Sequence, residues 1–178
     1  MDTRDIMRIA AFIPDYQSGA GQSVYVFFRD GTTGWQQVGM RSFLRQIARA
    51  FTVNLQEARK QFGPLIGKSN LVPLVLSPFL LYVPLKTRKP LIPGDPAYGY
   101  FRLRSIIEAA ASPAPCTLTL EGGNKLTIIQ SYRTVCSHLR AARKLEAHLL
   151  EQFCDMADPE IVTAYLQQHA GVQPDKQQ

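Results

Sequence analysis

The side chains of this sequence best suited to chemistry, by type and by spacing, are cationic. Arg41, Arg45 and Arg49 recur every fourth residue, and Lys86-Thr87-Arg88-Lys89 form a basic run ahead of Pro90. Arg102 and Arg104 alternate with Phe101 and Leu103, while Arg133, Arg140 and Arg143 punctuate a later apolar repeat. Such groups suit phosphate, because cations that displace condensed counterions gain affinity that weakens as salt rises.

Their distribution is segmental. From Arg41 to Lys144 there are sixteen Lys or Arg against four acidic residues, Glu57, Asp95, Glu108 and Glu121, an excess of +12. Residues 1–40 carry −1 and residues 145–178 carry −5, which restores the overall +6. Segregated charge of this kind predicts a phosphate-binding surface; a solvated face or an acidic protein partner is the competing reading.

Enzymatic chemistry has no comparable support. No phosphate-binding loop, dinucleotide fingerprint, nucleophile elbow or metalloprotease helix motif occurs, and the glycines of Ser18-Gly19-Ala20-Gly21 lack a following lysine. Scattered carboxylates do not suggest a two-metal site. Cys116, Cys136 and Cys154 are odd in number and widely spaced, which predicts buried free thiols rather than disulfides or zinc ligands. His138, His148 and His169 read as surface or satisfied helix histidines. The expectation is a non-enzyme with no cofactor and no metal site.

The elements that must position the cations follow from periodicity. Ile6 to Ile13, Ser23 to Arg29 and Trp35 to Met40 read as a strand meander with Asp30-Gly31 and Gly34 at turns. Leu44, Ile47, Ala48, Phe51, Leu55, Ala58 and Phe62 give helical spacing from Arg41, ended by Gly63-Pro64, with the three arginines as a stripe beside the apolar face. Leu71 to Pro84 reads as one or two buried strands interrupted by Pro73 and Pro78, followed by the basic loop and a proline-rich stretch. Tyr98 to Ile107 reads as a strand placing Tyr100, Arg102 and Arg104 on one face, an arrangement that also suits stacking on single-stranded bases.

Cys116 to Leu120 and Lys125 to Ile129 form a hairpin through Glu121-Gly122-Gly123-Asn124. A helix capped by Ser131 runs through Val135, Leu139, Ala142, Leu145, Leu149 and Phe153, basic in its first half and acidic in its second. Asp158-Pro159-Glu160 opens a short acidic helix ending near Gly171. The predicted fold class is α+β, an antiparallel sheet core with two or three helices packed on it. Residues 1–155 are expected to form one unit, with a meander at 1–40 and a basic core at 41–144; residues 156–178 supply the acidic helix and a mobile tail. No apolar run is long enough to span a bilayer and no signal-peptide layout opens the chain, so a cytoplasmic protein is expected.

The order of features from Val72 to about Leu145 resembles the ComK family of competence transcription factors. The residues that carry it are Ser77-Pro78, Leu80-Leu81-Tyr82-Val83-Pro84, Thr87-Arg88, Gly99-Tyr100, Leu118 through Leu126, Ser131-Tyr132 and Arg140-Ala141-Ala142. Where that family has a Cys and an aromatic-histidine stretch, this chain has Pro96 through Tyr100 and a longer loop. The strand, the polar hairpin and the Ser131-Tyr132-Arg133 helix start are also loosely similar to the LytTR type of DNA-binding domain. The ComK resemblance implies a transcription activator on AT-rich double-stranded DNA, acting through the minor groove and bending, assembled as a homo-oligomer, with a regulatory or proteolytic adaptor as a further partner.

By that resemblance Thr87 and Arg88 are the first candidate contacts; charge and position add Lys86, Lys89, Arg102, Arg104, Arg41, Arg45, Arg49, Arg133, Arg140 and Arg143. Two alternatives stay open, an RNA or single-stranded nucleic-acid binder and a protein-interaction module with a basic face.

Overall fold

The computed structural model describes residues 2–17, 21–111, 115–157 and 159–160. The main sheet has six antiparallel strands, β1 (Ile9–Gln17), β2 (Gly21–Phe28), β3 (Thr33–Gln36), β4 (Leu74–Ser77), β5 (Leu80–Lys86) and β6 (Tyr98–Arg102), in the spatial order β3-β2-β1-β6-β5-β4. A second antiparallel sheet comprises β7 (Ile106–Ala110), β8 (Cys116–Leu120) and β9 (Lys125–Ile128). Four helices complete the described residues, α1 (Thr3–Met7), α2 (Met40–Ala50), α3 (Leu55–Leu65) and α4 (Tyr132–Met156). The fold is α+β, as the sequence predicts, with a second sheet that the strand patterns alone do not separate from the first.

Period-two alternation along the central strands divides the core. Leu81, Val83 and Leu85 of β5, with Ala11 and Phe101, meet Leu118 and Ile128 of the small sheet and Val135, Leu139, Ala142 and Leu145 of α4. Leu80 and Tyr82, with Phe12, Val24 and Val26, meet Ile6 of α1 and Met40, Phe43 and Ile47 of α2. α2 and α4 therefore cover opposite faces of the main sheet. Each fully buried aliphatic or aromatic side chain contributes roughly 1.5–3 kcal/mol. The buried Tyr82 hydroxyl donates to the carbonyls of Ile6 and Ile9, each at 3.1 Å, and so ties α1 to the sheet.

Several sequence expectations are corrected. The strand expected from Ile6 starts at Ile9, because the chain first turns through α1, where the Asp5 carboxylate accepts the Asp2 N–H at 3.3 Å. The extended piece expected to reach Met40 stops at Gln36, and Met40 opens α2. The single helix expected over 41–62 is two, broken at Thr52, whose φ is 54°, and restarted by Asn54, whose side chain accepts from Gln56 N–H and Glu57 N–H. Periodicity misses the break because Leu44, Phe51 and Leu55 all still pack on one core cluster. Nor does Gly63-Pro64 end α3. The stop is Gly67 at φ 65°, where Lys68 N–H reaches the Gly63 carbonyl at 2.9 Å and Gly67 N–H the Pro64 carbonyl at 3.2 Å.

The strand expected over 98–107 ends at Arg102, and a 3-10 turn at Leu103–Ser105 carries the chain across to the small sheet. The hairpin stands as expected, with Gly122 and Gly123 both at φ 86°, and so does α4, whose cap Ser131 accepts the Thr134 N–H at 3.2 Å. Of the three thiols only Cys116 is buried; Cys136 is half-buried and Cys154 exposed on the outer side of α4. His138 is a satisfied helix histidine, its Nδ1 2.9 Å from Lys68 Nζ. His169 and the helix expected from Asp158 to Gly171 lie outside the described residues, Pro159 and Glu160 apart. Among the described residues no helix is long and apolar enough to cross a membrane.

Candidate nucleic-acid interface

Antiparallel pairing on both sides of β6 makes β1 and β5 point the same way, so Gln17 and Lys86 finish at one end of the sheet, beside the starts of β2 and β6. α4 begins at this end. Ile129 N–H donates to the Lys86 carbonyl at 2.9 Å and Lys86 N–H to Gln130 Oε1 at 2.8 Å, just ahead of Ser131 and Arg133. The helix runs away from there until Phe153 meets Phe79 at the β4–β5 turn, ring centroids 5.0 Å apart. α2 starts at the same end on the opposite face, where Gln22, Gly39, Arg41, Ser42, Gly94 and Pro96 surround a hollow of ≈ 220 Å³. Neither helix has an acidic residue in its first turn.

Arg41, Lys86, Lys89 and Arg133 thus gather at one end, and none forms an ion pair among the described residues. The ion pairs lie elsewhere. Arg8–Asp30 (3.0 Å) and Arg29–Glu121 (2.8 Å) sit beyond the far end of β2, and Lys60–Glu57 (2.9 Å) on α3. Arg45 and Arg49 continue along α2, and Arg140 and Arg143 along α4, all exposed, on opposite sides of the body. A straight duplex can meet both stripes only at the end where both begin.

Three candidates are engaged internally. Arg104 leaves the expected strand face for the 3-10 turn and binds Glu146, its Nε 2.8 Å from Oε1. Arg102 donates to the Met7 carbonyl at 2.6 Å, and burial together with the charge of Arg29 lowers its pKa. Tyr100, expected beside them on an open face, stacks on Phe12 at 5.2 Å within the α2-side core, and burial raises its pKa. The expected row of Tyr100, Arg102 and Arg104 on one open strand face does not form, because β6 is a central strand with packing on both sides.

The third is Arg88, which anchors the long β5–β6 loop. Its guanidinium carbon lies 4.3 Å from the centroid of the Tyr16 ring, and its Nε donates to the Pro96 carbonyl at 2.9 Å. The Tyr16 hydroxyl donates to Asp95, a contact that raises the phenol pKa. Asp95 also accepts from Gln22 Nε2 and from the Ile92 N–H, while its own N–H donates to the Ile92 carbonyl at 3.1 Å. Thr87 N–H closes the loop base on the Ala97 carbonyl at 2.9 Å. Gly99 is required here: a Cβ would lie 2.7 Å from Ile13 Cγ2 and 2.9 Å from Thr87 Cγ2.

Beyond this base the tip presents Leu91 and Ile92, 77% and 63% exposed, between Pro90 and Pro93. Sequence reasoning overlooked these two residues and the anchors Tyr16, Gln22 and Asp95. The one available signal was a pair of large aliphatics bracketed by prolines, outside any helical or strand period.

A second concavity, of ≈ 340 Å³, lies between α3, β4 and α4, lined by Val53, Phe62, Leu76, Pro78 and Leu149 among others. Glu57 is its single ionisable lining residue, and no cluster of three metal-ligating side chains occurs among the described residues. No protein-family model, curated protein or solved structure matches the chain.

Proposed function

We propose that this chain binds duplex DNA through the basic end of its main sheet and acts in transcription control, as its resemblance to the ComK family implies. The supporting observation is the convergence of Arg41 of α2, Lys86 of β5, Lys89 of the β5–β6 loop and Arg133 of α4, none in an ion pair among the described residues, at the end where α2 and α4 both begin. Cations left without partners on one surface are what phosphate recognition requires, and the helix N-termini add to the positive potential. The single-strand alternative has less support, since Tyr100 is stacked on Phe12 rather than open to a base.

Narrow AT-rich minor grooves concentrate negative potential and attract Arg and Lys without a base-specific code, which makes AT-rich duplex the preferred target. The test is fluorescence anisotropy of labelled AT-rich and GC-rich duplexes across a salt series. The expected result is tighter binding to the AT-rich duplex, with log affinity falling linearly in log salt by a slope near −0.9 per phosphate neutralised. Absence of binding at low salt, or binding insensitive to salt, overturns the reading.

A further inference from the structure

We propose that Leu91 and Ile92 form an apolar wedge that enters the minor groove and pries apart one base step of the bound duplex. This inference rests on the DNA-binding reading and adds a mechanism to it. Two large aliphatic side chains standing 77% and 63% exposed at a loop tip leave apolar surface in water that nothing among the described residues covers. The tip is stiffened where most loops are loose. Pro90 and Pro93 flank it, Asp95 holds both the N–H and the carbonyl of Ile92, and Tyr16, Gln22 and Arg88 hold Asp95 and the loop base in turn.

The surroundings select the occupant. Lys89 precedes the tip in the chain, and Lys86, Arg41 and Arg133 lie at the same end of the sheet, so the apolar point rises from a cationic rim. Aliphatic and proline side chains so placed partly unstack a base step once basic neighbours hold the flanking phosphates, and the duplex kinks away from the inserted side chain. Unstacking costs least at flexible pyrimidine–purine steps such as TA, which ties the wedge to AT-rich sites. Arg88 acts here as a positioning residue.

The test uses the full chain and AT-rich duplexes carrying 2-aminopurine at successive positions, with donor and acceptor dyes on the two ends in a parallel series. The wild type is expected to brighten 2-aminopurine at one step and to shorten the end-to-end distance. Leu91→Ala/Ile92→Ala, a change confined to exposed side chains, should abolish both signals and weaken binding about tenfold while leaving the salt slope unchanged. Lys89→Ala should reduce the slope yet keep the brightening. A wild type that binds duplex without brightening any step overturns the wedge and leaves the DNA reading standing. A wild type that ignores duplex at low salt but binds phosphatidylglycerol vesicles through Leu91 and Ile92 overturns both.

Discussion

The guanidinium carbon of Arg88 lies 4.3 Å from the centre of the Tyr16 ring, so the residue that resemblance marks as a prime DNA contact spends its charge on an aromatic face inside the protein. Tyr16 in turn donates to Asp95, and Asp95 fixes the loop tip through Ile92. A cation–π contact of this kind contributes about 0.5–2 kcal/mol depending on its desolvation.

Arg88→Ala is therefore expected to weaken duplex binding several-fold through loss of loop order, with the circular dichroism spectrum and the salt slope both unchanged. Lys86→Ala and Lys89→Ala, by contrast, should each lower the slope by about one unit, as direct phosphate contacts do. Anisotropy titrations at four or more salt concentrations separate the two behaviours; a reduced slope for Arg88→Ala would place its guanidinium on the DNA.

Position along the helices makes a second distinction. Arg49 stands eight residues beyond Arg41, about 12 Å farther along α2 at 1.5 Å per residue. Arg41→Ala and Arg133→Ala should each weaken binding by roughly threefold to tenfold, and Arg49→Ala by less than twofold. Equal losses at Arg41 and Arg49 would show that the duplex lies along α2 instead of across the end of the sheet.

His138 and Lys68 supply a pH dependence. Burial lowers the His138 pKa, with the neighbouring Lys68 charge adding to the effect, and burial lowers that of Lys68 as well. Below about pH 6.5 the unfolded chain binds a proton that folded His138 resists, so stability falls as pH drops through that value toward the lower folded pKa. Urea melts at pH 5 and pH 7.5 should show this loss, and His138→Gln, which cannot titrate, should shrink the difference. An undiminished difference in the variant would assign the dependence to other groups.

The hairpin turn offers a paired control. A Cβ on Gly122 would lie 2.3 Å from the Gly31 backbone N, whereas one on Gly123 meets nothing within 4 Å, and both residues have φ 86°. Gly123→Ala should cost about 1–2 kcal/mol of backbone strain, and Gly122→Ala clearly more, because the turn between β2 and β3 must move. Thermal or urea unfolding of the two variants measures the difference; equal losses would remove the argument for close backbone contact.

Local chemistry made much of this molecule legible in its sequence. The hairpin of β8 and β9 is written in Gly122 and Gly123, α4 in Ser131 and its apolar repeat, and the strands around Pro73 and Pro78 in their punctuation, because each depends on residues near one another in the chain. The charge excess was equally plain, since charge is additive and needs no geometry. Which cations remain available was a tertiary matter. Arg88, Arg102 and Arg104 look like Lys86 and Lys89 in one dimension, yet their partners Tyr16, Met7 and Glu146 lie 42 to 95 positions away. Hydrophobic periodicity likewise places α2 and α4 on a sheet without saying on which face. That was decided by the alternation of β5, which sends Leu80 and Tyr82 to α2 and Leu81, Val83 and Leu85 to α4, and so lets the two arginine stripes diverge from a shared basic end.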